Sequence, residues 1–355
     1  MKKLIFNLIL GLFILRLSGC KQGNSPAPLK FKAYENNPIL SPGEPGSWDE
    51  LFISAPQIIY FEEVFYLFYM GCNVPGKMAV GLATSSDGFH FTKFADNPVL
   101  APGNTGFDAY TATAGVLVQN DSVWVMYYNG NELATYAPGP AIGRATATLL
   151  TGPWIKDKIP VLNSGSRGEW DAGFIIPSTV IRMDDESYRM YYSGGTEITH
   201  WEDFYIGMAS SADGISWKKY NDPSTKEHPF AESDPVFMNG EAGEWDDSYV
   251  WMANVDTLPG GYRMYFTGIS AVKNNFETGA IGFATSKDGI RWERYPANPV
   301  YTVKNDPFLT EIEKKAIIEN PSFMCIDTLS FMYYDYGSLV SSIGLATAKM
   351  PELVK

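Results

Sequence analysis

Carboxylates beside an aromatic residue recur at wide intervals along this chain. Gly46-Ser47-Trp48-Asp49, Gly168-Glu169-Trp170-Asp171 and Gly243-Glu244-Trp245-Asp246 share one pattern, and Gly106-Phe107-Asp108 is a variant of it. Like charges gathered around one hollow would raise one carboxyl pKa and leave another ionised, the separation that acid/base hydrolysis requires. A second reading stays open, in which each aspartate caps its own loop and the tryptophans wedge between structural repeats. Other chemistries lack support. No C-x-x-C, H-E-x-x-H, P-loop or G-x-G-x-x-G pattern occurs, and three histidines leave little room for a His-based metal site.

The elements that would position these acids are themselves repeated. After each Gly-x-Trp-Asp segment an apolar strand begins, then a short turn, then an aromatic strand: FYLFYMG, VWVMYYNG, YRMYYSGG, YRMYFTG and FMYYDYG. A third strand follows a variable loop, as AVGLATS, AIGRATA, YIGMASS, AIGFATS and SIGLATA. Fourth strands read FHFTKF, PWIKD, ISWKKY and IRWERY after the first four copies, but the chain stops at Lys355 soon after the fifth third strand. The missing partner is at the other end, where Phe31-Lys32-Ala33-Tyr34 precedes Asn37-Pro38-Ile39-Leu40. These repeats predict an all-β, five-bladed β-propeller of four-stranded antiparallel blades, the last completed by the N-terminal strand. Only Thr310–Ile318 has the pattern of a short helix.

Propeller geometry puts Asp49, Asp108, Asp171 and Asp246 on one face with the long loops between second and third strands. The opposite face carries Ser85-Ser86-Asp87-Gly88, Ser211-Ala212-Asp213-Gly214 and Ser286-Lys287-Asp288-Gly289, which read as hairpin turns whose aspartates bond their own backbone. Acidic and carbonyl oxygens are plentiful enough for calcium at the axis, but no ligand loop identifies such a site, and no cofactor is expected.

The chain has 355 residues, 45% hydrophobic and 19% charged, which excludes a disordered polymer. One long apolar run, residues 4–15, excludes a polytopic membrane protein. Lys2 and Lys3 precede that run and Leu17-Ser18-Gly19-Cys20 follows it, which is similar to the lipobox of bacterial lipoproteins. The expected organisation is a signal peptide over 1–19, a lipidated Cys20 opening a flexible tether over 20–29, and the propeller over 30–355. That implies a protein of the cell envelope, lipid-anchored at the periplasmic or outer-membrane surface, monomeric, and touching membrane only through its lipid. Without residues 1–19 the net charge of −13 falls to −16. Such a balance disfavours nucleic acid and leaves neutral ligands open. Cys72 and Cys325 are too few for a disulfide framework.

From about residue 30 to 350 the repeats resemble the five-bladed glycosidase clan that contains glycoside hydrolase families 43 and 32 and the mannoside phosphorylases of family 130. The residues that carry the likeness are Ala55-Pro56-Gln57-Ile58-Ile59-Tyr60, Phe65-Tyr66-Leu67-Phe68-Tyr69, the Ala-Thr-Ser-x-Asp-Gly third strands and Asn97-Pro98-Val99-Leu100. The resemblance implies a glycosidase acting on neutral oligosaccharides or polysaccharide side chains. Families 43 and 32 place an aspartate directly before the first blade's proline, where this chain has Ala55; the comparable residues of blades two to four are Ala114, Ile176 and Met252. Only Glu319-Asn320-Pro321 looks like the Glu-x-Pro that carries the general acid of family 43. Two-carboxylate chemistry then needs a partner for Glu319, and the expected partners are Asp49, Asp171 and Asp246. Trp48, Trp170, Trp201, Trp245 and Trp251 are candidate sugar platforms, with Asp108, His200 and Asp247 as further substrate-binding residues. Arg144 and Arg167 form no evident phosphate cluster, which ranks phosphorolysis below hydrolysis, and a binding lipoprotein without activity is the rival from another class.

Overall fold

A computed structural model describes residues 27–133, 140–196, 203–270, 279–309, 317–337 and 341–350. The signal segment, Cys20, His200 and Trp201 lie outside the described residues.

Strand β1 (Lys32–Ala33) comes first in the chain and belongs to the last blade. Blade one is β2 (Phe52–Phe61), β3 (Val64–Cys72), β4 (Ala79–Ser85) and β5 (Thr92–Lys93). Blade two is β6 (Thr111–Asn120), β7 (Val123–Asn131), β8 (Ala141–Ala147), β9 (Ile155–Lys156) and the extra β10 (Leu162–Asn163). Blade three is β11 (Phe174–Arg182), β12 (Tyr188–Gly195), β13 (Tyr205–Ser211), β14 (Lys218–Lys219) and β15 (Pro235–Phe237). Blade four is β16 (Tyr249–Leu258), β17 (Gly261–Ile269), β18 (Ala280–Ser286) and β19 (Trp292–Arg294). Blade five is β20 (Ile317–Ile326), β21 (Leu329–Gly337), β22 (Ser341–Lys349) and β1, ordered β1-β22-β21-β20. The five sheets form the expected propeller, and the N-terminal strand closes it with Lys32 opposite Thr347 and Ala33 opposite Ala346. That pairing covers the edge of β22, which would otherwise be open to another chain.

The repeated residue types follow from this packing. Second strands lie between neighbouring blades, so they are apolar on both faces; β7 is buried along nearly its whole length. The glycine of each third strand makes room for the ring of the second strand. A Cβ at Gly81 would run into Tyr69 and Trp48, and one at Gly207 into Tyr192. Asn97 explains the Asn-Pro motif: its amide accepts from the Leu82 N–H at 2.8 Å and donates to the Leu82 carbonyl at 2.8 Å, standing in for a strand neighbour. Asn298 does the same for Phe283, and Asn37 for Leu345.

Among the described residues the helical content is one 3-10 turn, Val303–Asn305. Ile317 and Ile318 begin β20, which corrects the helix expected over Thr310–Ile318 at its C-terminal end; residues 310–316 lie outside the described residues. The aspartates of the opposite-face turns behave as expected. Asp87 Oδ1 accepts from the N–H groups of Phe89 and His90 at 2.8 and 2.9 Å, and Asp213 and Asp288 repeat the arrangement. Burial pulls all three carboxyls upward, most in Asp87, but these bonds together hold them below their usual range.

Candidate active site

The first strands β2, β6, β11, β16 and β20 abut one another in a closed ring around the axis. Each carries a register shift partway along: after Ser54, Thr113, Pro177, Trp251 and Glu319. At the shift the backbone enters left-handed space at Ala55 (φ 50°), Met252 (φ 48°) and Asn320 (φ 56°), conformations that side-chain-bearing residues seldom hold. Just before it, Ser54, Thr113, Ile176, Trp251 and Glu319 stand opposite Met70, Asn129, Ser193, Thr267 and Asp335 of the second strands. Of these five pairs, one from each blade, only the fifth supplies acids at both places.

Glu319 and Asp335 are therefore direct cross-strand neighbours, at a spacing where Cβ atoms stand about 5 Å apart. Asp335 is 2% exposed and Glu319 half-buried. Ser54 Oγ donates to Asp335 Oδ2 at 2.6 Å, and Asn320 Nδ2 donates to Ser54 Oγ at 3.2 Å. Trp251 Nε1 donates to Glu319 Oε2 at 3.2 Å. Burial, then the Asp335 charge, pushes the Glu319 carboxyl well above the usual range, partly opposed by the Trp251 bond. Burial likewise pushes Asp335 up, against the donors from Ser54, Asn320 and the Ala55 backbone. Tyr249 is raised by burial and by the Glu319 charge. Such a couple keeps a proton at neutral pH that an ordinary surface carboxyl has lost.

The surroundings are apolar. Ala55 and Met252 pack together at the axis with Met70, Ile176 and Trp251 against them, so the place where the resembled families carry an acid is a hydrophobic wall here. Met70, Ile176, Trp251 and Glu319 all remain partly exposed, so solvent reaches this level.

The Trp-Asp aspartates are elsewhere, which corrects the expectation that they gather around Glu319. Asp49 accepts from Tyr69 Oη at 3.1 Å and pairs with Lys93 Nζ at 2.6 Å. Asp108 does so with Tyr128 (2.9 Å) and Lys156 (2.5 Å), and Asp171 with Tyr192 (3.1 Å) and Lys219 (2.6 Å). Asp246 pairs with Arg294 at 3.0 Å, and burial raises its carboxyl against the pull of that cation. Lys93, Lys156, Lys219 and Arg294 all belong to fourth strands, the blade edge farthest from the axis. A buried carboxylate needs a charge partner, and these loops find theirs at the rim. In blade five Asp306 takes the same place, accepting from Tyr334 Oη at 3.0 Å and Asn37 Nδ2 at 3.3 Å.

The tryptophans of that motif are wedges. Trp48, Trp170 and Trp245 pack on Tyr69, Tyr192 and Phe266 with ring centroids 5.8, 5.8 and 5.7 Å apart, and Trp170 Nε1 donates to Ser233 Oγ at 3.0 Å. Asp247 accepts from the Gly243 N–H at 2.7 Å and caps its own loop. Of the candidate site residues that lie among the described ones, the structure brings together Glu319 and Trp251. Asp335, Ser54 and Asn320 were missed. One signal for Asp335 was present, since it is the charged residue in a column otherwise filled by Met70, Asn129, Ser193 and Thr267. Among the described residues no group of three His, Cys, Asp or Glu side chains could hold a metal ion.

No protein-family model matches the chain. It is 27% identical to an uncharacterised protein of Mycobacterium tuberculosis over 272 residues, 72% of this chain and 80% of the relative. A solved glycoside hydrolase superposes with a TM-score of 0.70 at 17% identity, covering 90% of this chain and 92% of that one. A glycosyl hydrolase from Bacteroides ovatus gives 0.63 at 18%, covering 92% and 97%. A structure reported with glycoside hydrolases of family 130 that target β-1,2-mannosidic linkages in Candida mannan gives 0.63 at 18%, covering 93% and 99%. These likenesses establish the fold, a five-bladed propeller of the kind solved repeatedly in glycoside hydrolases.

Proposed function

We propose that this protein hydrolyses glycosidic bonds in neutral oligosaccharides or polysaccharide side chains, with Glu319 as the proton donor and Asp335 as the second carboxylate. The observation that carries the reading is the cross-strand couple of buried Asp335 and partly exposed Glu319, on the ring of first strands and blade five's second strand, under an indole N–H. A carboxyl kept protonated at neutral pH can deliver its proton to a departing sugar oxygen. Trp251 offers an apolar ring face beside it, against which the C–H face of a sugar packs. The negative net charge and the lack, among the described residues, of a cation paired with either carboxylate favour a neutral substrate over an anionic one. Phosphorolysis ranks lower on the same ground: Arg144 is bound to Asp157 at 2.8 Å, and Arg167 is exposed.

The apolar wall at Ala55 and Met252 favours a second reading, a carbohydrate-binding protein without turnover. A panel of neutral plant and host glycans separates the two. Turnover that disappears in Glu319→Gln supports the enzyme; turnover undiminished by that change removes Glu319 from the mechanism; saturable binding without turnover supports the second reading. We extend the proposal to anchoring at the cell envelope through a lipid on Cys20. Incorporation of labelled palmitate, lost in Cys20→Ser, is the expected result, and equal labelling of both forms opposes it.

A further inference from the structure

The residue that follows the recurring aromatic of the second strand has a repeated task in blades two to four. Asn129 Nδ2 donates to the Ile175 carbonyl at 2.8 Å, Ser193 Oγ accepts from the Met252 N–H at 2.7 Å, and Thr267 Oγ1 accepts from the Asn320 N–H at 2.8 Å. Each bond runs from one blade to the first strand of the next, at or near its register shift. Asp335 occupies that place in blade five, and it accepts from Ser54 Oγ of blade one at 2.6 Å. The latch that joins the last blade to the first is thus made by one of the two carboxylates of the proposed site.

We propose that Ser54 is a positioning residue that assigns the proton of the Glu319–Asp335 couple to Glu319, acting through this ring-closing latch. The inference rests on the reading of Glu319 as the acid. Two buried carboxylates side by side do not both ionise, so the proton goes to the one with fewer donors. Asp335 Oδ2 receives the Ser54 hydroxyl at 2.6 Å and the Ser341 hydroxyl at 3.5 Å, whereas Glu319 receives Trp251 Nε1 at 3.2 Å. Asn320 orients the serine: its amide donates into Ser54 Oγ, which leaves the hydroxyl hydrogen to point at Asp335. Among the described residues the titratable groups facing the couple from the packed elements are Tyr249 on β16 and the two carboxyls themselves; the other polar neighbours there, Ser54, Asn320, Trp251 and Ser341, carry no charge.

Isotope-edited infrared spectroscopy tests this without any substrate, so its failure is distinct from failure of the glycosidase reading. At neutral pH the carboxylic-acid C=O stretch of the full chain should shift when glutamate side chains carry ¹³C, stay put when aspartate side chains do, and vanish in Glu319→Gln. In Ser54→Ala the band should move to the aspartate label, in Ser54→Cys, a weaker donor, it should divide between the two, and in Ser54→Thr it should stay with glutamate. A wild-type band carried by aspartate, no protonated band at all, or a band that stays wholly with glutamate in both Ser54→Ala and Ser54→Cys overturns the proposal. Ser54→Cys keeps the test decisive if the alanine variant does not fold.

Discussion

Replacing Asp171 with alanine separates a structural aspartate from a catalytic one. Asp171 is fully buried, and its Oδ2 takes both the Tyr192 hydroxyl at 3.1 Å and the Lys219 ammonium at 2.6 Å. Lys219 is 13% exposed, so water cannot replace the lost carboxylate fully. Removing one partner of a buried pair leaves the other charge uncompensated, at a cost of about 3–5 kcal/mol. With an unfolding entropy of about 2.1 cal/mol/K per residue over the propeller, that is a fall in Tm of about 4–7 °C. Thermal unfolding followed by circular dichroism measures it, and Asp171→Ala/Lys219→Met should recover part of the loss because the stranded charge is gone. Well below its Tm the single variant should keep the turnover proposed for the wild type. An unchanged Tm together with lost turnover would refute the assignment and return Asp171 to the chemistry.

Three further outcomes follow from the same structure. Because the folded-state pKa values of Glu319 and Asp335 are raised, their stability contribution is complete below the ordinary carboxylate range and is lost by the time pH has risen through the raised values, so Glu319→Gln should flatten the decline in Tm between the two; parallel curves would contradict the shared burial. Deleting the described residues up to Leu40 removes β1 and the Asn37 bonds to Leu345 and Asp306, uncovers β22, and should yield aggregates by size-exclusion chromatography, whereas a monodisperse folded product would show that closure does not depend on that strand. Gly207→Ala pushes a Cβ into the Tyr192 ring and should cost about 1–3 kcal/mol in urea unfolding, with no loss expected if the ring can move aside.

The fold was legible because repetition multiplies weak signals. One alternating strand is ambiguous, but five aligned copies of FYLFYMG-like and AIGFATS-like segments, with the fourth strand of the last copy displaced to Phe31–Tyr34, admit a single closed architecture. Radial position was not legible in the same way. Equivalent spacing shows that Asp49, Asp108, Asp171 and Asp246 share an environment, but not whether it faces the axis or the rim. What decides that is the cation on each fourth strand, Lys93, Lys156, Lys219 or Arg294, which stands opposite an alanine of the third strand. Ala33 holds that register position in blade five, and Asp306 turns to Asn37 instead. Asp335 escaped notice because it lies inside an aromatic strand that reads as core. Its partner was found only because Glu319-Asn320-Pro321 has a local motif, whereas a cross-strand neighbour has none.

Leaving-group dependence tests the central claim most directly. Once a cleaved linkage is known, wild type and Glu319→Gln are compared on its natural glycoside and on an aryl glycoside whose activated phenol departs without a proton. If Glu319 donates the proton, the variant loses turnover on the natural linkage by about 10²–10⁴-fold and keeps much of it on the activated one. Equal losses on both substrates, or none on either, would contradict the account.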